Sequence, residues 1–308
     1  MQRLLTTATI GGLLIATAAA FAITERLKLT KSAVYATQVS SRLSPTCGCA
    51  RGKATIKFKL RRRDDLTVSI LNNHRDEVAL LATQSYPRGD VRLRWDGTTD
   101  AGKRAPDGSY RVRIHLASAH QTIDLPNRIA LDTKPPEIKN LVLNREAFSP
   151  DGDKQADFVR ITYGLTKQAH LLVYLDGRRI LESYRHPAAG SITWNGHVGT
   201  SLLKPGTYTL TAGAIDLAGN STPVADRWRF HVEIRYIQIA ARRIVVRSGG
   251  RLAIGIATDA RRYTWRLGRA KGHTGKPVLR VRAPSKPGRY TLVVEEQGHL
   301  ARAAVIVR

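Results

Sequence analysis

Trp95-Asp96-Gly97 opens a stretch that reads WDGTTDAGKRAPDGSY and ends at Tyr110. A shorter version returns as WNG at Trp194 and as KPGTY ending at Tyr208. Gly beside Asp, Asn or Pro supplies the positive φ angles of tight turns, and large aromatic residues fill protein interiors. The stretch therefore predicts two copies of one β domain, each with a Trp in its core and a strand that begins near Tyr.

The two copies also match before the Trp. LSPTCGC starting at Leu43 corresponds to FSPDGDK starting at Phe148, and the register holds without a gap as far as Val68 and Val173. A repeat of this length indicates tandem domains rather than a short-period solenoid. Alternating apolar residues predict strands such as Ala54–Leu60, and no long helical periodicity follows residue 50. We expect an all-β fold.

The motifs SPDGD after Phe148, WNG at Trp194 and PGTY at Pro205 resemble the Ig-like domain named after the flagellar hook-capping protein. DTKPP at Asp132 and DLAGN at Asp216 resemble junction and strand-end motifs of bacterial Ig-like repeats. The resemblance covers about residues 41–232. It implies β-sandwiches that act as spacer, structural or adhesive modules outside the cytoplasm, and hook capping itself does not carry over.

The predicted fold class is thus a tandem array of Ig-like β-sandwiches preceded by one N-terminal transmembrane helix. Pro135-Pro136 stiffens a linker and marks a boundary, because consecutive prolines do not fit a central strand. The expected domains are a membrane anchor or signal peptide with a basic stalk (1–33), a first Ig-like domain (34–134), a second (135–233) and a basic third (234–308).

Residues 4–23 carry no charge and are long enough to cross a bilayer as a helix. Two interpretations compete: an uncleaved anchor, or a signal peptide cleaved after an A-x-A site at Ala18–Ala20 or Ala20–Ala22. The run exceeds the usual apolar core of a signal peptide, which favours the anchor. The basic residues at 26–31 would stay in the cytoplasm by the positive-inside rule. The Ig-like resemblance instead places the bulk of the chain outside, in a single-pass membrane protein or a secreted one.

The net charge of +26 is concentrated in the third domain, where residues 235–308 hold seventeen Lys or Arg and three acids. This surplus predicts attraction to polyanions such as anionic wall polymer. Nucleic acid is disfavoured by the low aromatic content of 6% and by the lack of a nucleic-acid-binding motif. In the alternative interpretation, basic side chains only cover solvated sheet faces. The candidate polyanion-binding residues are Arg242, Arg243, Arg247, Arg261, Arg262, Arg266, Arg269, Lys271, Arg280 and Arg282.

Cys47 and Cys49 are the only cysteines of the chain. Outside the cytoplasm two thiols in one loop are expected to oxidise. The pair predicts either a local disulfide that stiffens the Ser-Pro turn or half of an intermolecular or metal site. Two thiolates cannot complete a tetrahedral zinc site alone.

Asp151, Asp153 and Asp157 lie in a Gly-containing turn, with a spacing that can direct several oxygens at one cation. Hard cations such as Ca²⁺ prefer oxygen ligands from a short loop. In the alternative interpretation these carboxylates accept hydrogen bonds from nearby backbone N–H groups. The first copy has Thr46, Gly48 and Gly52 at these positions, so we expect calcium only in the second domain.

The sequence contains no HExxH, GxSxG, P-loop or dinucleotide-binding motif, so we expect no enzymatic activity. The predicted function is a membrane-anchored envelope protein that serves as a structural or binding module for wall polymer or another envelope protein. Two alternatives stay open: a secreted adhesion or accessory protein, and a non-catalytic subunit that docks an envelope enzyme.

Overall fold

A computed structural model describes residues 11–22 and 32–308. The described residues divide into two compact units at the boundary between Thr133 and Lys134. Residues 11–22 are helical. Within the described ranges, no helix is both long and apolar enough to span a bilayer. The predicted transmembrane helix is therefore not supported there, and residues 4–10 and 23 of the predicted span lie outside the described part.

The first unit contains one β-sandwich built from eight strands. The strands are β1 (Val34–Val39), β2 (Arg42–Leu43), β3 (Ala54–Leu60), β4 (Asp64–Leu71), β5 (Glu77–Tyr86), β6 (Gly89–Trp95), β7 (Gly108–Leu116) and β8 (Gln121–Leu131). β1, β3 and β6 form one sheet, and the second sheet has the order β2-β8-β7-β4-β5. The pairing is antiparallel except that β2 runs parallel to β8. A short 3₁₀ helix, Ala50–Gly52, lies between β2 and β3.

Alternation decides which residues of these strands enter the core. In β3, Ala54, Ile56, Phe58 and Leu60 are buried between the sheets, while the residues between them are partly exposed. Successive side chains of a strand point to opposite faces, so a period of two fills the sandwich and leaves a polar exterior. The predicted strand Ala54–Leu60 is confirmed.

The second unit contains two sandwiches, and the first of them repeats the topology of the first unit. Its strands are β9 (Ile138–Leu143), β10 (Ala147–Phe148), β11 (Val159–Leu165), β12 (Ala169–Leu175), β13 (Arg178–Glu182), β14 (Ala189–Trp194), β15 (His197–Val198), β16 (Ser201–Leu202), β17 (Gly206–Asp216) and β18 (Trp228–Ile234). The two main sheets have the orders β9-β11-β14 and β10-β18-β17-β12-β13, and β10 runs parallel to β18. β15 and β16 form a separate hairpin, and a 3₁₀ helix covers Val224–Asp226.

The third sandwich has the same arrangement, although its sequence lacks the Trp-Gly motif. Its strands are β19 (Ile237–Ile239), β20 (Arg243–Val246), β21 (Arg251–Thr258), β22 (Tyr263–Leu267), β23 (Ala270–Thr274), β24 (Val278–Arg282), β25 (Gly288–Glu296) and β26 (His299–Val307). The two sheets have the orders β19-β21-β24 and β20-β26-β25-β22-β23, and β20 runs parallel to β26. Each of the three sandwiches has its own apolar core.

The Trp residues of the WDG and WNG motifs fill the cores of the first two sandwiches, as the sequence predicts. Trp95 ends β6 with 2% of its surface exposed, and Trp194 ends β14 with 1% exposed. Each indole N–H donates a hydrogen bond across the turn that follows: Trp95 to the carbonyl of Thr98 at 2.8 Å, and Trp194 to that of His197 at 2.9 Å. A carbonyl in each of the Asp-Gly and Asn-Gly turns therefore accepts the hydrogen bond of a buried indole N–H.

A tyrosine fixes the corner before the last long hairpin in all three sandwiches. The hydroxyl of this residue donates a hydrogen bond to the carbonyl four residues earlier, which ties the turn to the strand that follows it. The pairs are Tyr110 with Pro106 (2.6 Å), Tyr208 with Lys204 (2.6 Å) and Tyr290 with Lys286 (3.0 Å). This shared corner gives the third sandwich a local feature in common with the other two.

The DLAGN turn after β17 is organised by a buried carboxylate. Asp216 accepts hydrogen bonds from the backbone N–H groups of Ala218 and Asn220, both at 2.9 Å, and from the side-chain amide of Asn220 at 3.0 Å. The ammonium of Lys167 lies 2.9 Å from the same carboxylate. Burial opposes ionisation, but these hydrogen bonds outweigh it and hold the pKa of Asp216 below its usual value.

Candidate functional site

The Ser-Pro turn of the first sandwich carries the two cysteines. The structure joins the Sγ atoms of Cys47 and Cys49, whose Cα atoms are 5.2 Å apart. Gly48 between them adopts φ = 61°, and the backbone N–H of Cys49 donates a hydrogen bond to Sγ of Cys47 at 3.2 Å. This geometry corresponds to the local disulfide among the predicted alternatives.

The corresponding turn of the second sandwich, between β10 and β11, holds Asp151, Asp153 and Asp157. One carboxylate oxygen from each lies within 4.8 Å of the others. All three side chains are only partly buried. The predicted trio is therefore brought together in space, at the distance over which oxygens can share a cation.

Backbone N–H groups of the turn donate hydrogen bonds to several of these carboxylate oxygens. Both oxygens of Asp157 accept hydrogen bonds, from the N–H groups of Gly152 (2.8 Å) and Lys154 (2.9 Å). Asp153 accepts from the N–H and the side-chain amide of Gln155, at 2.6 and 3.0 Å. The backbone N–H of Asp153 also donates a hydrogen bond to Asp151, at 3.2 Å. Each of the three carboxylates therefore accepts a hydrogen bond from the backbone of the turn, which is the arrangement that the alternative interpretation predicts.

Two acids of the third sandwich, to which no sequence motif points, lie beside this turn. Asp259 follows β21 and Glu296 ends β25. The hydroxyl of Ser149 donates a hydrogen bond to the carboxylate of Asp259, across 110 residues of sequence. We name the five residues Asp151, Asp153, Asp157, Asp259 and Glu296 the junction cluster.

An aromatic contact also joins the second and third sandwiches at this junction. Tyr236 is buried, and its ring stacks on the imidazole of His299 with centroids 3.5 Å apart and planes within 2°. Tyr236 packs in the second core, whereas the next residue, Ile237, packs in the third. Burial, with added repulsion from Asp151 and Glu296, raises the pKa of Tyr236.

The surroundings of Glu296 and Asp259 disfavour the ionised forms of these two carboxyls. Burial, the adjacent carboxyl of Asp151 and the charges of Asp259 and Asp153 raise the pKa of Glu296 to about 7. Burial also raises the pKa of Asp259, against the opposing hydrogen bond from Ser149. Within the described residues, no Lys or Arg forms an ion pair with any of the five.

The ten predicted polyanion-binding residues are all exposed, but they do not share one face. Arg266 and Lys271 project from the outer face of the five-stranded sheet, where they are paired across β22 and β23. Arg280 and Arg282 project from β24 of the opposite sheet. The other six, Arg242, Arg243, Arg247, Arg261, Arg262 and Arg269, lie in loops and at the start of β20.

A groove on the five-stranded sheet combines two of these residues with Arg302, which the sequence analysis did not single out. Arg302 pairs with Val293, Val293 with Arg266, and Arg266 with Lys271, so the three basic residues form a row across four strands. The groove has a volume of about 620 Å³, and Trp265, His273 and Glu295 also line it. We name Arg266, Lys271 and Arg302 the basic row.

Comparison with known proteins agrees with the sandwich topology. Residues 44–120 match the FlgD Ig-like domain family, which confirms the predicted resemblance over most of the first sandwich. No curated protein matches the chain. The matched residues run from the Ser-Pro turn into the hairpin of β7 and β8, so they include both the Trp and the Tyr of the motif.

Among solved structures, the chain is similar to fibronectin(III)-like modules of Clostridium thermocellum CbhA, with 15% identity, 64% of this chain and 92% of that chain covered, and a TM-score of 0.34. An I-band fragment of titin has 13% identity, coverage of 90% and 99%, and a TM-score of 0.31. A Bacteroides ovatus glucan-utilisation protein, SGBP-B, solved with a mixed-linkage heptasaccharide, has 13% identity, coverage of 89% and 67%, and a TM-score of 0.23. At these TM-scores the likeness carries no argument about what this chain binds.

Proposed function

We propose that the chain is a non-enzymatic protein of the bacterial cell envelope whose Ig-like sandwiches lie outside the cytoplasm and bind an anionic wall polymer. The observation that carries this proposal is the basic row, because three cations in register across neighbouring strands match a polymer with repeated negative charge. Charges aligned at an exposed surface attract such a polymer without needing an enclosed pocket.

The charge balance of the third sandwich supports the same function. Residues 235–308 contribute most of the net charge of +26, while the acidic side chains Asp259 and Glu296 lie at the junction rather than on the exposed sheet. Glu295 is the acid that lines the groove. The outer face of the five-stranded sheet is therefore dominated by positive charge.

Polyphosphate serves as the probe for this function. We expect the full chain to bind polyphosphate at low salt and to lose most of that binding at several hundred millimolar NaCl, since salt screens exposed charges. The triple variant Arg266→Gln, Lys271→Gln, Arg302→Gln should bind roughly 100-fold more weakly, at about 1 kcal/mol for each basic residue near an anionic surface. Isothermal titration calorimetry measures both effects.

A matched control removes the same charge from the opposite sheet. Arg251, Arg280 and Arg282 are exposed on the outer face of β21 and β24, with Arg251 paired to Arg282. Changing these three to Gln should weaken binding by less than about tenfold. If both triple variants lose affinity equally, or if salt has no effect, the basic row is not the binding surface.

The proposed location has its own test. We propose that the uncharged segment at residues 4–23 holds the chain in the membrane with the sandwiches outside, as the Ig-like resemblance implies. Protease added to intact cells should then digest residues 34–308, and the retained membrane fragment should begin at the original N-terminus by mass spectrometry. Protection of the sandwiches would overturn the location, and a fragment starting after residue 20 or 22 would indicate a cleaved signal peptide.

A further inference from the structure

The disulfide of the first sandwich lies in an exposed turn and closes a very small ring. Cys47 is half-buried and Cys49 is exposed, and only Gly48 separates them. A crosslink stabilises a fold mainly by restricting the unfolded chain, and this effect is smallest for the shortest loops. The bond between Cys47 and Cys49 is therefore expected to stabilise the fold less than a typical structural disulfide.

The second sandwich shows that the same turn forms without cysteines. In the first sandwich the backbone N–H of Ser44 donates a hydrogen bond to the carbonyl of Arg51 at 2.9 Å. In the second, the N–H of Ser149 donates to the carbonyl of Ala156 at 3.1 Å, and these two residues are the counterparts of Ser44 and Arg51 in the aligned copies. One backbone hydrogen bond thus holds both turns, and it does not require a disulfide.

The two turns differ at the positions of the cysteines. The second sandwich has Gly152 and Lys154 where the first has Cys47 and Cys49, and both N–H groups of that pair donate hydrogen bonds to the carboxylate of Asp157. The disulfide is either a substitute for this carboxylate or a bond with its own chemistry. Its small ring and its exposure favour the second role, because exposed disulfides are the ones that exchange with thiols.

Neighbouring groups favour opening of the bond by an incoming thiolate. The backbone N–H of Cys49 donates a hydrogen bond to Sγ of Cys47 at 3.2 Å, so it stabilises negative charge that develops on that sulfur. Residues 44–53 include Arg51 and Lys53 and no acidic residue, so the local charge attracts an anionic thiolate. Cys49 is the more exposed cysteine, which makes its sulfur the point of attack and Cys47 the leaving group.

We propose that the Cys47–Cys49 disulfide is a thiol-exchange site that passes its bond to a dithiol of another protein. A thiolate of that protein attacks Sγ of Cys49 to form a mixed disulfide, and Cys47 leaves as a thiolate with the electron pair of the broken bond. The second thiolate of the protein attacks its own sulfur in the mixed disulfide, and Cys49 leaves in turn. The protein dithiol is oxidised and loses two protons, which the two reduced cysteines take up.

The exchange transfers one disulfide per chain, so it is stoichiometric and agrees with a non-enzymatic protein. It does not depend on polymer binding, because the cysteines lie in the first sandwich and the basic row lies in the third. Failure of either proposal therefore leaves the other standing.

Dithiothreitol, a small dithiol, serves as the probe, with the full chain under native conditions. It should open the bond at a rate within about tenfold of its rate with oxidised glutathione, since both disulfides are accessible to solvent. Mass spectrometry after alkylation should find two new thiols per chain. A rate more than tenfold lower, or opening only in urea that unfolds the first sandwich, would overturn the proposal.

Reduced glutathione, a monothiol, tests which sulfur is attacked. After an acid quench and alkylation of the free thiol, we expect glutathione on Cys49 and the alkyl group on Cys47. The reverse labelling would contradict the assignment of Cys47 as the leaving group.

The double variant Cys47→Ser, Cys49→Ser separates exchange from a structural role. It should leave dithiothreitol unoxidised, and it should raise the unfolding equilibrium constant of the first sandwich by less than about 30-fold, which is below the range for structural disulfides. Proteolysis in urea, followed through peptides from residues 34–133, measures this constant. A larger loss of stability would show that the disulfide is a structural staple, as the Asp157 carboxylate is in the second sandwich.

Discussion

Trp95→Ala is expected to lower the free energy of unfolding of the first sandwich by about 4 kcal/mol, the range seen when a large aromatic residue is deleted from a core. The ring is 2% exposed and meets the ring of Tyr110 edge-on, with centroids 4.9 Å apart. The substitution leaves a cavity and removes the hydrogen bond to the carbonyl of Thr98. A loss of this size is a large share of the stability of a small domain.

Proteolysis at increasing urea concentration measures the effect, with peptides from residues 34–133 followed by mass spectrometry. This readout assigns unfolding to the first sandwich even though the full chain is used. Trp228→Ala in the second sandwich, followed through peptides from residues 134–233, is the control for an exposed indole, because Trp228 is 39% exposed, and it should cost less than about 1 kcal/mol. If Trp95→Ala costs no more than the control, the indole does not hold the two sheets together.

Asp216→Ala should destabilise the second sandwich by about 3 kcal/mol. The carboxylate accepts bonds from two backbone N–H groups and from the Asn220 amide, and it pairs with Lys167. Its removal takes this acceptor away from the three donors and breaks the ion pair, and breaking a buried pair from one side costs about 3–5 kcal/mol. Because Lys167 is partly exposed, we expect a loss of stability at the lower end of this range.

The same urea and proteolysis measurement, applied to peptides from residues 134–233, follows this variant. Asp216→Asn keeps one oxygen acceptor and should lose roughly half as much stability. Asp226→Ala, at an exposed position of the same sandwich, should change stability by less than about 0.5 kcal/mol. Equal effects at positions 216 and 226 would mean that the DLAGN turn does not depend on its carboxylate.

The parts of the fold that the sequence predicts are those encoded by neighbouring residues. The strand Ala54–Leu60 is predicted correctly because its alternation of apolar and polar residues is local. The turns at the Trp and Tyr residues are predicted correctly because each depends on only a few neighbouring residues. The third sandwich is harder to recognise. It keeps only the corner at Tyr290, and strands such as β19 and β23 are too short or too polar to stand out.

The candidate sites show where sequence reasoning ends. The sequence predicts the group of Asp151, Asp153 and Asp157 because the three residues lie in one turn. Asp259 and Glu296 reach the junction only through the packing of the third sandwich against the second, which the sequence does not predict. Their one sequence signal was that they are two of only three acids in residues 235–308. Acidic residues that are rare in a basic segment are candidates for specific contacts.

The basic residues show a second limit. Alternation correctly predicts that Arg266 and Arg280 point to solvent, but it cannot tell which sheet each strand joins. The strand order places Arg266 with Lys271 and Arg302 on one face, and Arg280 on the other. A binding surface is a property of strand order, which is set by contacts distant in sequence.

The parallel pairing at the edge of each sandwich has a mechanical consequence. Because β2 runs alongside the last strand, β8, in the same direction, the chain enters and leaves the sandwich at opposite ends. Tension between those ends therefore pulls the two strands past each other, and their backbone hydrogen bonds bear the load together instead of breaking one by one. β2 and β8 share two residue pairs, whereas β20 and β26 share four. We therefore expect the parallel pairing of the third sandwich to resist a pulling force better than that of the first.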